Sequence, residues 1–100
     1  MNPSPADART PTAGSRVKIA PSVYARTFGS EMVLLDFGRG EYFGLDELGT
    51  EIWRHLEAGE ALAAIADAIV ERHEVARDVA LGDIVELVRS MIEHSLVSLE

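Results

Sequence analysis

Cysteine is absent from these 100 residues. That excludes a disulfide framework, a thiolate nucleophile, a Cys-ligated zinc site and an iron–sulfur cluster, and it permits a reducing compartment. No apolar run approaches the roughly 20 residues that cross a bilayer, and the amino terminus lacks the apolar segment of a secretion signal. The expected location is the cytoplasm, away from membranes. Basic residues are also scarce, with 9 Lys and Arg against 17 Asp and Glu and a formal charge of −8. The deficit is uneven: residues 1–30 hold Arg9, Arg16, Lys18 and Arg26 against Asp7 alone, so residues 31–100 sum to −11. Affinity for nucleic acids comes largely from Lys and Arg displacing counterions from phosphates, so a cationic peptide suits this body better than DNA or RNA.

Proline is confined to Pro3, Pro5, Pro11 and Pro21, and the apolar residues before Val17 are only Met1, Ala6, Ala8 and Ala13. Such a stretch cannot bury enough surface to offset its chain entropy, so residues 1–15 are expected to be a disordered arm and residues 16–100 the folded unit. With 47% apolar residues, that unit has enough for one core and too little length for a second domain.

Three segments read as strands, at about residues 23–28, 32–37 and 41–45, each rich in β-branched, aromatic or aliphatic residues and bounded by turn formers. Gly29-Ser30 and Gly38-Arg39-Gly40 separate them, short enough for antiparallel hairpins. Along the third, Phe43 and Leu45 share one face and Tyr42 and Gly44 the other. The period then becomes helical. Asp46 is placed to cap a helix carrying Leu48, Ile52, Trp53 and Leu56, which Gly59 ends. A second helix, about 61–73, repeats Leu62, Ile65, Ala66 and Ile69. A third, about 79–95 and capped by Asp78, carries Leu81, Ile84, Val85, Leu87, Val88, Met91 and Ile92. That arc is wider than one buried face requires: either the helix packs on two neighbours, or part of the arc faces a groove. Leu96-Val97-Ser98-Leu99 reads as a short closing extension. The fold class is α+β, a three-stranded antiparallel sheet followed by three helices, as in a winged helix-turn-helix built in reverse order.

Little in this chain carries chemistry. His55, His73 and His94 stand far apart in no metal-binding pattern and fall near helix carboxy termini, where imidazole complements the helix dipole. Asp46, Glu47 and Glu51 are ordinary acidic residues of a first helical turn. Gly38-Arg39-Gly40 lies between strands and not before a helix, so it is a turn and not a phosphate loop. Trp53 at helical spacing anchors a core, and the lack of surrounding Lys and Arg speaks against a base-stacking platform. No catalytic group, metal or cofactor is expected. What remains is an edge strand beside a helix with apolar surface to spare, which suits a peptide added as a further strand.

The order and spacing of Val33-Leu34-Leu35-Asp36, Gly40-Glu41-Tyr42-Phe43-Gly44-Leu45-Asp46, Gly49 and Ile52-Trp53, followed by Ile65, Ile69 and Leu96-Val97, resembles the PqqD-like family. Those proteins are recognition elements of ribosomally made peptide natural products. The resemblance spans residues 16–99. It implies a winged helix-turn-helix-like domain that binds the leader of a precursor peptide as an added strand between the third strand and the third helix. It also implies that the domain presents the precursor to a separate modifying enzyme, such as a protease, cyclase or radical enzyme. By position, the strand residues are Glu41, Tyr42, Phe43 and Gly44, and the helix residues come from Asp83, Ile84, Leu87, Val88 and Met91. The proline-glutamate-glycine turn of the pyrroloquinoline quinone adaptor is absent, since Asp36-Phe37-Gly38-Arg39-Gly40 stands there. The sequence is more similar to the stand-alone recognition proteins of lasso-peptide pathways. Ala61 and Ser95 replace the family's helix-capping Ser or Thr and its closing glycine.

The competing reading is a winged-helix transcription regulator. It would need the third helix in the major groove, yet that helix offers Asp83, Glu86 and Glu93 against Arg89. No binding to duplex DNA is therefore expected at physiological salt, whereas regulators hold even random sequence at roughly 10⁻⁴–10⁻⁶ M. A salt-dependent gel shift tighter than that, persisting after deletion of residues 1–15, would support the regulator instead.

Overall fold

Eight elements make up residues 10–100, the part of the chain described by the computed structural model. They are β1 (Val17–Ile19), β2 (Val23–Phe28), β3 (Glu31–Asp36), β4 (Glu41–Leu45), α1 (Glu47–Glu57), α2 (Leu62–Arg72), α3 (Arg77–Glu93) and β5 (Val97–Leu99). β2, β3 and β4 form an antiparallel meander, and β1 pairs antiparallel with β5 in a separate two-stranded sheet. The α+β class and the three-strand, three-helix order are those expected.

Local chemistry sets both hairpins. Gly29 has φ 64° and opens a two-residue turn, the type II′ geometry whose twist matches the flanking strands, so Phe28 and Glu31 are the last pair of that hairpin. In the β3–β4 turn the buried Asp36 carboxylate organises the backbone. Its Oδ1 accepts from the Ser22 hydroxyl at 2.8 Å and from the N–H groups of Gly38 and Arg39 at 2.9 and 3.3 Å. A buried carboxylate is tolerated only with such partners.

The inner face of the sheet contributes Met32, Leu34 and Leu45 to the core. Ile52, Trp53 and Leu56 of α1 pack beneath it, with Leu62, Ile65, Ala66 and Ile69 of α2 and Ala80, Ile84, Val88 and Met91 of α3 completing the interior. Each large side chain so buried contributes on the order of 1.5–3 kcal/mol.

Two expectations change. Asp78 does not cap α3: the cap position is Ala76, with extended backbone and no side-chain bond, and Asp78 lies in the first turn. The helix starts earlier than its acidic residue because the Ala76 carbonyl already accepts a helical bond from Ala80 N at 3.0 Å, and Arg77 Nε, donating to Asp67 Oδ1 at 2.7 Å, links the first turn to α2. The expected arm, residues 1–15, falls partly outside the described residues, at 1–9. Residues 10–15 pack on the domain: Pro11 is buried, and the carbonyls of Ser15 and Ala13 accept from Leu62 and Ala63 at 2.9 and 2.7 Å. They satisfy the first N–H groups of α2, where Ala61 has no side chain to do so.

Deleting residues 1–15 should therefore lower stability by roughly 1–2 kcal/mol, the scale of lost helix-cap bonds, read as a lower midpoint in urea. An unchanged midpoint would mean that α2 holds its first turn unaided.

Candidate functional site

Among the described residues β4 is bonded to β3 alone, so its outer edge is open. Which groups it offers follows from the ladder. Each residue of an antiparallel strand turns its N–H and C=O to one side, and alternate residues turn to opposite sides. Phe28 and Glu31 close the two-residue turn and face each other, so Glu31, Val33 and Leu35 are directed at β2. Met32, Leu34 and Asp36 are then directed at β4, where their partners are Leu45, Phe43 and Glu41. Tyr42 and Gly44 are left with their main-chain groups on the open edge.

The side chains of the strand sort as alternation requires. Phe43 and Leu45 turn toward the helices, while Tyr42 is 78% exposed on the opposite face. Beside the edge lies a hollow of about 410 Å³, with Phe43, Gly44 and Leu45 on one wall, Leu48 and Ile52 of α1 at the floor, and Asp83 and Leu87 of α3 opposite. Asp46 stands at the junction of strand and helix. Its Oδ1 accepts from Gly49 N at 2.8 Å, and its carbonyl accepts from Thr50 N and the Thr50 hydroxyl at 2.8 and 2.7 Å. A side chain at Gly49 would come within 3.2 Å of both Asp46 Oδ1 and Leu45 Cδ2, so glycine lets α1 start directly under the end of β4. At the other end, His94 meets Phe43 edge to face with ring centroids 5.2 Å apart, and Arg39 Nη1 donates to Ser95 Oγ at 3.3 Å.

Of the nine residues expected at the site, four line the hollow, Phe43 and Gly44 with Asp83 and Leu87 across from them, while Glu41 and Tyr42 lie on the same strand outside it. Ile84, Val88 and Met91 do not join them. They are 1%, 0% and 0% exposed and belong to the core, because α3 turns that stripe to α2 and β5. Their side chains cannot reach a ligand without opening the interior. Leu48, Ile52 and His94 were not among the expected site residues. Leu48 and Ile52 lie four apart on the apolar stripe of α1, a spacing that reads as core, and only the exposure of Leu48 distinguishes it. The hollow combines an apolar lining with carboxylates, Asp46 and Asp83, at its rim. Asp46 Oδ1 is already engaged by the helix cap. No group of three or more His, Asp or Glu among the described residues is arranged to hold a metal.

The family model for "Coenzyme PQQ synthesis protein D (PqqD)" matches residues 31–97, from the start of β3 to the start of β5. Two solved structures are similar over most of both chains. One, described as TbiB1 in complex with the TbiA(beta) leader peptide, is 35% identical with a TM-score of 0.77, covering 80% of this chain and 93% of that one. The other, described as lasso peptide synthetase B1 complexed with the leader peptide, is 30% identical with a TM-score of 0.77, covering 82% and 96%. Comparison with curated proteins finds no match. The family match takes in the β3–β4 hairpin, the junction at Asp46 and all three helices, including α1 and α3 that frame the hollow, and the chain belongs to the PqqD family.

Proposed function

We propose that this chain is a non-catalytic recognition element. It binds the leader segment of a ribosomally made precursor peptide as an added strand along β4 and presents that precursor to a separate modifying enzyme. The observation that carries this is the open edge of β4 beside an apolar hollow, in a chain whose solved relatives are described in complex with leader peptides. Strand addition draws affinity from main-chain pairing and selectivity from pockets beside the strand. Tyr42 and Gly44 supply the pairing, Phe43 and Leu87 line the pocket, and Asp46 and Asp83 give its rim the charge that suits a cationic or neutral segment. The similarity to a lasso peptide synthetase component favours a lasso-peptide pathway.

A partner enzyme also has a surface to meet. Tyr24, Leu35 and Tyr42 stand in one cross-strand row on the face of the sheet that the helices do not cover, and Phe37 packs edge to face on Tyr24 at 5.3 Å. Exposed aromatic rows of this kind are typical interface material. On this reading the protein works where the precursor is made, in the cytoplasm. The regulator reading loses further ground because Arg89, the lone base on the outer part of α3, is paired with Glu86 at 3.2 Å.

Proline scanning tests the mode of binding. Tyr42→Pro and Gly44→Pro remove donors from the open edge, so both should keep the fold by circular dichroism. Each should weaken binding of the cognate leader by at least the roughly 1 kcal/mol of a hydrogen bond. Phe43→Pro breaks the ladder to β3 and should damage folding. Leu87→Asp should stay folded and lose binding, whereas Val88→Asp should unfold the domain. Parent-like leader affinity in both folded proline variants would exclude main-chain pairing on β4.

A further inference from the structure

A second hollow, of about 400 Å³, lies on the other face of β4 from the groove, and its walls include Phe28, Glu31, Val33, Gly44 and Asp46. Register explains it. On the uncovered face of the sheet the rows run Tyr24–Leu35–Tyr42 and Arg26–Val33–Gly44. Past the Met32–Leu45 pair the ladder ends, Phe28 pairs with Glu31, and Asp46, the residue after β4, lines the same hollow. The second row lacks its third side chain, and a Cβ built at Gly44 would meet nothing within 4 Å. Two carboxylates, Glu31 and Asp46, thus line one hollow, and Asp46 has one oxygen engaged by Gly49 N, leaving Oδ2. Among the described residues neither is in an ion pair, and Arg26 on the same face is paired with neither.

We propose that this hollow is a subsite for one basic side chain, lysine or arginine, of the bound peptide. The proposal rests on the reading that a peptide adds as a strand to β4. A strand paired with the open main chain of Gly44 places one peptide residue directly across from it, about 5.5 Å away between Cα atoms, with its side chain on the same face. Because Gly44 has no side chain, that residue can lie across the strand onto Val33, as side chains cover strand glycines elsewhere. A long aliphatic stem then packs on Val33 and Phe28, and its ammonium or guanidinium reaches the Glu31–Asp46 pair. An apolar residue would leave the two carboxylates unbalanced, and an acidic one would add a third like charge. Gly44, Glu31 and Asp46 thereby select the peptide from the face opposite the apolar groove.

The test is selection from a displayed library of random 16-residue peptides against four proteins: the parent, Glu31→Gln/Asp46→Asn, Gly44→Val, and the charge-matched control Glu57→Gln/Glu74→Gln. Asparagine keeps the helix cap at position 46, and valine at 44 keeps the main-chain N–H while filling the hollow. The parent and the control should enrich Lys or Arg at one position, at a fixed offset from an apolar anchor, and the other two should lose that enrichment. A peptide selected on the parent should bind Glu31→Gln/Asp46→Asn at least tenfold more weakly than it binds the control. Enrichment without a basic position, or with one that survives in both variants, overturns the subsite and leaves strand addition standing. If no selected peptide is weakened by Tyr42→Pro, strand addition itself fails.

Discussion

Among the described residues β4 keeps an unpaired edge because the helix across the hollow from it is anchored elsewhere. α3 turns Ala80, Ile84, Val88 and Met91 to α2 and β5, so its packing energy is satisfied without closing on β4. Had the helix used that stripe against the strand, Phe43 and Leu87 would be core and no groove would exist. The wide apolar arc of α3 is thus divided between a fully buried stripe and a half-buried flank that includes Leu87. Edges of this kind invite unwanted pairing and are commonly blunted by charge or covered. Here Glu41 at the start of the strand and Asp46 just past its end bracket an uncharged stretch of four residues.

Asp46 holds the second constraint. By capping α1 with its own side chain immediately after β4, it leaves no linker between strand and helix, so the floor of the groove moves with the edge as one piece. Asp36 does the equivalent at the opposite end, where one carboxylate oxygen gathers Ser22, Gly38 and Arg39. The strand is therefore fixed at both ends by local carboxylate bonds, which on the proposed reading suits an edge that offers its main chain in a constant register. Preorganisation of that sort lowers the ordering cost of binding on the protein's side.

Much of the fold was legible in the sequence, and the exceptions are instructive. The meander was readable because three short runs rich in β-branched, aromatic and aliphatic residues are separated by Gly29-Ser30 and Gly38-Arg39-Gly40. α1 was readable because Asp46 precedes a stripe at spacings of three and four. β1 and β5 were not, since three residues such as Val17-Lys18-Ile19 carry too little periodicity, and their pairing joins positions about 80 apart in sequence. Capping of α2 by Ser15 and Ala13 was invisible for a similar reason: it is a bond between backbones, so composition does not encode it. At the site, the strand residues followed from alternation. Along α3, position in the pattern could not separate Leu87 from Val88, adjacent apolar residues about 100° apart on the helix, one of which lines the hollow while the other is fully buried.

Charge finally separates two uses of one topology. A helix-turn-helix that reads DNA must present bases to the phosphates flanking its recognition helix. In this domain Asp83 and Glu93 occupy that helix, and Arg89 is engaged by Glu86. On the proposed reading, the acidity that disfavours a duplex also draws cationic segments toward the β4 edge over a Debye length of roughly 8 Å at physiological salt. Long-range attraction of this kind acts alike on every basic peptide, so by itself it does not discriminate among them. On that reading, discrimination comes from placement: the register of main-chain bonds at Tyr42 and Gly44, and the shape and fixed carboxylates of the hollows on either side of them.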